Sequence, residues 1–242
     1  MTALTPATTA VLAPPGLTED ADPHVLSAAE EHQLLRGAPW KRFAVVGDSV
    51  AEGLGEPADG YESRDWHSRI ARALRRERPE LEHLNLGTRY LRAGEVREQQ
   101  LEPALDFEPD LVSIVCGGND MLAEDFDPAA VRAEIDAMAT PLRESGAELL
   151  FCTMFAIFRA IEMQEPYGSR LAARQHELNE VIRDLAGGHD AVLAEFFDHP
   201  ASADPGIYSS DLMHCNMRGH AIAASGAIEA LGARLRSSEP QA

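Results

Sequence analysis

The amino-acid sequence predicts an α/β fold in which a five-stranded parallel sheet is covered by helices on both faces. Five short apolar runs, most of them with few charges, are typical of buried strands. Each run is followed by a longer segment of helical character, and parallel neighbours in a sheet need such crossover connections. The length of 242 residues lies in the range where one domain closes a single core.

Strands and helices are expected to alternate from about Pro39 onwards. The predicted strands are residues 42–47, 81–87, 110–116, 148–154 and 191–197. The predicted helices are residues 63–78, 93–106, 128–145, 168–186 and 216–236. In such sheets the reacting groups collect at the carboxyl ends of the strands, so the loops that follow the strands are where a site is expected.

The beginning of the chain differs in composition from the rest. Residues 1–24 are rich in Thr, Ala and Pro, and a segment so poor in apolar surface is expected not to order itself. Residues 25–35 have the spacing of a short helix. We therefore assign residues 1–36 to a flexible tail with a possible short helix, and residues 37–242 to the folded domain.

The net charge and the cysteines indicate which partners are unfavourable and which cellular compartment is expected. The formal net charge is -19, so nucleic acid and anionic membrane surfaces are unfavourable partners. No apolar run approaches the roughly 20 residues that cross a bilayer, and residues 1–35 contain no lysine or arginine for a signal peptide. Cys116, Cys152 and Cys215 have no CxxC spacing, which indicates neither a disulfide framework nor a zinc knuckle. These observations predict a cytoplasmic protein.

Residues with the chemistry of acyl transfer occur in three of the predicted loops. Ser49 follows the first strand, Asn119 follows the third, and Asp211 and His214 lie in the last long loop. Each of these residues also has a common non-catalytic explanation. Ser49 and Asn119 could cap helices, and an Asp beside a His is common on protein surfaces. Their occurrence in this order favours a nucleophile, an oxyanion donor, an orienting carboxylate and a base.

Three sequence blocks resemble those of the SGNH, or GDSL-type, esterases and lipases. They are residues 43–49 (FAVVGDS), 117–120 (GGND) and 211–214 (DLMH), and the resemblance extends from about residue 42 to about residue 235. It implies that Ser49 is the nucleophile, His214 the base and Asp211 the orienting acid, with Asn119 in the oxyanion hole. It also implies a flavodoxin-like three-layer sandwich without metal or organic cofactor. The expected reaction is hydrolysis of a small-molecule carboxylic ester through an acyl-serine intermediate.

The sequence departs from the family pattern at two positions. Val50 stands where the family usually has leucine, which exchanges one apolar side chain for another. In the second block the family has a glycine about five residues after the asparagine, and its N–H serves the oxyanion hole. Counting from Asn85 leads to Tyr90, while Gly87 is nearby but out of register. We expect the Tyr90 N–H, together with that of Ser49, to complete the oxyanion hole.

Several alternatives to an ester hydrolase have less support in the sequence. Asp211, His214, Cys215 and His220 lack a known metal-ligand spacing, and residues 47–53 lack the lysine of a phosphate loop. An acyltransferase would use the same triad, and a non-catalytic binding module would keep only the fold.

Two further groups of residues have open roles. The apolar stretch of residues 151–163 is expected to be mainly core, with a lid or acyl-binding wall as the alternative. Arg89, Arg92 and Arg159 either bind an acidic group of the substrate or form surface ion pairs.

Overall fold

The computed structural model of the protein describes residues 16–238 and contains the expected five-stranded sheet. The strands are β1 (Arg42–Gly47), β2 (Glu82–Asn85), β3 (Leu111–Val115), β4 (Glu148–Cys152) and β5 (Val192–Ala194). All of them pair in parallel, in the order β2-β1-β3-β4-β5. Each strand lies within a run that the sequence predicts, so the predicted α/β fold is confirmed.

Helices form the two outer layers. Within residues 16–238 they are α1 (Ala28–Leu34), α2 (Ser49–Glu52), α3 (Trp66–Glu77), α4 (Ala93–Asp106), α5 (Gly118–Leu122), α6 (Pro128–Glu144), α7 (Tyr167–Gly188) and α8 (Met217–Ser238). Helices α1, α3 and α8 contact one another on one face of the sheet, and α4, α6 and α7 cover the other. The strand order reverses direction between β1 and β3, which is where sheets of this kind bind ligands.

The core is built from the apolar residues of the strands and the inner faces of the helices. In β1, Phe43 and Ala44 point to opposite faces of the sheet and both are fully buried, as expected of a strand covered on both faces. Helix α3 contributes Ile70 and Leu74 and is capped by Asp65, whose carboxylate accepts the Ser68 N–H. Among the described residues, the helices are too short or too polar to cross a lipid bilayer.

The segment before the domain is packed where the structure describes it, which differs from the expected flexible tail. Asp22 is buried, and its Oδ2 accepts hydrogen bonds from Tyr61 Oη at 2.7 Å and Arg218 Nε at 2.8 Å. Glu19 pairs with the buried Arg69 at 2.5 Å. Ion pairs hold Glu19 and Asp22, and Val25 packs against the core. An expectation based on the low apolar content of the segment alone missed the two ion pairs. Residues 1–15 lie outside the described part of the chain.

Candidate active site

The turn after β1 requires a glycine. Gly47 has a φ of 147°, and a Cβ there would lie 1.9 Å from the carbonyl oxygen of its β3 neighbour Val115. Gln100 of α4 holds the same glycine, because its Oε1 accepts the Gly47 N–H at 2.7 Å and its Nε2 donates to the Gly47 carbonyl at 2.9 Å. The chain therefore leaves β1 in one fixed direction and enters α2 directly.

Ser49 is the first residue of α2, and Asp48 is the helix cap. The Asp48 carboxylate accepts the Val50 N–H at 3.0 Å, so the Ser49 hydroxyl is not used as a cap. Burial raises the pKa of Asp48 to about 6, although the Val50 N–H and the nearby His214 act in the opposite direction.

Asp211, His214 and Ser49 form one hydrogen-bonded chain. The Ser49 Oγ lies 2.7 Å from Nε2 of His214, and Nδ1 of His214 lies 2.6 Å from Oδ2 of Asp211. The other oxygen of Asp211 accepts the N–H groups of Met213 and His214 at 2.9 and 3.0 Å. Burial opposes ionisation of Asp211, but the bonds from His214 and Met213 outweigh it and lower its pKa. An ionised Asp211 holds the imidazole in the tautomer whose Nε2 faces Ser49.

The triad loop, residues 204–216, is anchored by its own hydrogen bonds. Asn216 Nδ2 donates to the carbonyls of Gly206 at 2.9 Å and Tyr208 at 3.0 Å. The Ser209 N–H donates to the carbonyl of His214 at 2.8 Å. Because these bonds lie on both sides of His214, the imidazole has a rigid support.

Asn119 lies at the second position of α5 and contacts the loop of residues 86–92, which is called the oxyanion loop after the role expected of Tyr90. The cap of α5 is Gly117, so the alternative in which Asn119 caps this helix does not hold. Asn119 Nδ2 donates to the carbonyl of Leu91 at 2.9 Å, and Asp120 Oδ2 accepts the Ala93 N–H at 2.9 Å. Helix α5 therefore fixes the end of the oxyanion loop.

Tyr90 occupies a backbone conformation that favours glycine. Its φ is 71°, as expected if it stands in the place of the family's glycine. Gly87 instead packs against α2, where a Cβ would lie 2.2 Å from the Glu52 nitrogen, and its N–H donates to Asn85 Oδ1 at 2.8 Å. Among the described residues, neither the Tyr90 N–H nor the Ser49 N–H has an acceptor. Both N–H groups are therefore available to a substrate, whereas that of Gly87 is not.

Residues 45–222 match the GDSL-like lipase/acylhydrolase family. The chain belongs to this family. The resemblance seen in the sequence is thereby confirmed, and the protein is a carboxylic ester hydrolase.

Several solved structures share the fold of this family member. The chain is 22% identical to TesA, with a TM-score of 0.62, over 78% of this chain and 97% of that one. It is 18% identical to Axe2, an acetylxylan esterase from Geobacillus stearothermophilus, with a TM-score of 0.64, over 81% and 95%. It is 15% identical to the psychrotrophic esterase EstA from Pseudoalteromonas sp., with a TM-score of 0.62, over 81% and 99%. The curated proteins that were compared give no match.

The arginines near the site of this GDSL-like hydrolase are engaged in ion pairs. Arg89 forms a forked pair with Glu52 through its guanidinium, and its N–H donates to the same carboxylate at 2.9 Å. Arg92 pairs with Asp125 at 3.2 Å and Arg159 with Asp198 at 2.6 Å. These contacts agree with the ordinary alternative of surface ion pairs.

His220 is a buried residue that is hydrogen-bonded to the protein backbone. Its Nδ1 accepts the Trp66 N–H and its Nε2 lies against the Leu54 carbonyl, both at 3.2 Å, and burial lowers its pKa to about 4. Cys215 is half-buried, and burial of its thiol raises the pKa of that group to about 12. No group of three or more His, Cys, Asp or Glu side chains within residues 16–238 is arranged to hold a metal ion.

The apolar stretch after β4 is mainly core, as expected. Phe151, Phe155 and Ile157 are buried, and Phe155 stacks on Phe196 with ring centroids 4.9 Å apart. Ile161 and Met163 are half-buried and pack against the same core.

Sequence reasoning missed two residues that shape the site. Gln100 has no distinguishing signal, because it is one of two adjacent glutamines in a helix. Asp120 lies inside the GGND block and is identified only by its contact with the Ala93 N–H. Both act on backbone groups, which no sequence pattern specifies.

Proposed function

We propose that this esterase cleaves small-molecule esters through a covalent acyl-Ser49 intermediate. The observation that supports the proposal most directly is the chain of two short contacts from Ser49 Oγ through His214 to Asp211, 2.7 and 2.6 Å long. A nucleophile, a base and an orienting group within hydrogen-bond reach are the arrangement that nucleophilic catalysis needs.

In the first step the Ser49 oxygen attacks the ester carbonyl carbon while His214 Nε2 takes the hydroxyl proton. The carbonyl electrons move to the oxygen, which accepts hydrogen bonds from the Ser49 N–H, the Tyr90 N–H and Asn119 Nδ2. Asp211 stabilises the imidazolium that has formed. When the bond between the carbonyl carbon and the alcohol oxygen breaks, His214 returns the proton to the departing alcohol.

The second step repeats this chemistry with water. His214 removes a proton from a water molecule that attacks the acyl carbon, and the same three donors hold the oxyanion. The bond to Ser49 then breaks, the serine regains its proton from His214, and the carboxylic acid departs. The site is thereby restored without any change in oxidation state.

A fluorophosphonate probe tests this function. EstA, which shares the fold, was solved in a form inhibited by monoethylphosphonate, so a phosphonyl group is a reasonable mimic of the acyl group. We expect one label per chain, on the peptide that contains Ser49, and parallel loss of ester turnover. Ser49→Ala should abolish labelling and lower turnover by at least ~10³-fold. The control Ser145→Ala, an exposed serine at the end of α6, should change neither.

Labelling that persists in Ser49→Ala would contradict the assignment. Ester turnover by Ser49→Ala at the wild-type rate would do so independently of the probe.

A further inference from the structure

Exposed apolar side chains are concentrated next to the residues of the site. Within residues 16–238, the large hydrophobic side chains that remain exposed are Val50, Tyr90, Leu122, Tyr167, Leu212 and Met213. Val50 follows Ser49, and Leu212 and Met213 lie between Asp211 and His214. The most exposed are Tyr90 at 80% and Met213 at 52%. Four of the six therefore lie in the segments that carry the proposed site, and grouped exposed apolar side chains mark binding surfaces.

The backbone at two of these residues is unfavourable for a large side chain. The described non-glycine residues with positive φ are Tyr90, Glu108, Asp190 and Leu212. Glu108 and Asp190 directly follow the last turns of α4 and α7, where a left-handed residue is the ordinary way to end a helix. Tyr90 (φ 71°) and Leu212 (φ 56°) follow no helix end and lie in the two loops of the site.

Neither of these two side chains is buried, so packing does not offset the unfavourable backbone conformation. Tyr90 projects from the oxyanion loop, and Leu212, which is 38% exposed, projects from the triad loop. Unfavourable backbone conformations that add nothing to the packing are concentrated at functional sites. The two side chains therefore have a role that requires exposure.

We propose that Tyr90, Leu212 and Met213 form an apolar contact surface that binds a hydrophobic group of the ester. This proposal rests on the proposed function and adds a substrate class to it: esters with a large apolar acyl or alcohol group, in preference to acetyl esters of polar alcohols. One side of the surface belongs to the oxyanion loop and the other to the triad loop. A substrate held on the surface lies between the two loops that supply the donors and the base. The net charge of -19 disfavours an anionic lipid surface as the occupant.

The experiment measures kcat/KM for two ester series at concentrations where the esters do not aggregate. One series varies the acyl group from acetyl to octanoyl on p-nitrophenol, and the other varies the alcohol from methyl to octyl on acetate. The variants are Leu212→Asn, which is similar in size and tolerates the left-handed conformation, and Tyr90→Gly, which keeps the backbone N–H. The matched control is Glu108→Gly, which relieves the same conformation at the end of α4.

We expect the preference for the eight-carbon over the shortest ester to fall about tenfold in at least one series in both variants. The preference of Glu108→Gly should equal that of the wild type. An unchanged preference, or an equal loss for every ester, would overturn the proposal. The same series are also measured with the esters in neutral vesicles, and a loss confined to the vesicles would overturn the proposal in favour of a lipid surface. Failure of the proposed function is distinct, because Ser49→Ala would then turn over esters like the wild type.

Discussion

The triad loop and the oxyanion loop both contact α2, at the carboxyl edge of the sheet, but are held differently. In the triad loop, Asp211 accepts the N–H groups of Met213 and His214 as well as facing the imidazole. Asn216 and Ser209 anchor the same segment from both ends. In the oxyanion loop, Tyr90 is exposed, has a positive φ and has an N–H without an acceptor among the described residues.

This difference follows from what each loop contributes. The triad loop supplies side chains whose chemistry is specific, so its residues are recognisable as Asp-x-x-His. The contribution proposed for the oxyanion loop is a backbone N–H, which every residue except proline has. The residue proposed to present this N–H is therefore recognised by its backbone conformation. The positive φ of Tyr90 singles it out, although its residue type does not.

The largest effect is expected at the carboxylate of the triad loop. Asp211→Asn should lower kcat by about 10⁴-fold, because an amide no longer holds the tautomer in which Nε2 accepts the serine proton. Since Asp211 is half exposed, the free energy of unfolding should change by less than about 1 kcal/mol. Steady-state kinetics and urea denaturation measure both quantities. A loss of less than tenfold would mean that the triad loop does not orient the base.

The next largest effect is expected at Asp22, whose partner Arg218 also pairs with Asp204 of the triad loop. Asp22→Ala should lower the free energy of unfolding by about 3 kcal/mol, because the buried Arg218 then keeps only Asp204 as its ionic partner. Asp20→Ala, an exposed neighbour, is the control and should have no effect. Urea denaturation distinguishes the two variants. Equal stabilities would show that residues 19–25 add nothing to the domain, as the sequence alone predicted.

The strands and the meeting of Ser49, His214 and Asp211 were predictable because their signals are local or chemically specific. Five apolar runs predicted five strands, and Ser49, Asp211 and His214 stand out by type and order. The Asp22 to Arg218 pair was not predictable, because it joins residues 196 positions apart and neither has a local pattern. The role of Gln100 was hidden for the same reason, since its partner is the backbone of Gly47.

A smaller effect is expected where α5 meets the oxyanion loop. Asn119→Ala should lower kcat by ~10²-fold or more with little change in KM, because a donor to the oxyanion acts chiefly in the transition state. The same substitution removes the bond to the Leu91 carbonyl, so a stability measurement is the control. An unchanged kcat would leave Asn119 with a purely structural role in holding the oxyanion loop.

The smallest effect is expected at Asp48, which caps the helix between the two loops. Its folded pKa of about 6 lies above the ordinary aspartate value of 3.8, so the folded protein binds more protons than the unfolded chain between these values. This carboxyl therefore makes the fold less stable as the pH rises through about 4 to 6. The free energy of unfolding of Asp48→Asn, relative to that of the wild type, should rise by about 2 kcal/mol as the pH is raised from 4 to 7. A difference that is independent of pH would contradict the raised pKa.

The acyl-enzyme itself is the most direct measure of the central claim. An enzyme that is mixed rapidly with a p-nitrophenyl ester, quenched in acid and digested should carry one acyl group on the peptide that contains Ser49. Asn119→Ala should form the same adduct more slowly, and Ser49→Ala should form none. Full turnover by the wild type without an adduct on Ser49, or with an adduct on another residue, would contradict the assignment of Ser49 as the nucleophile.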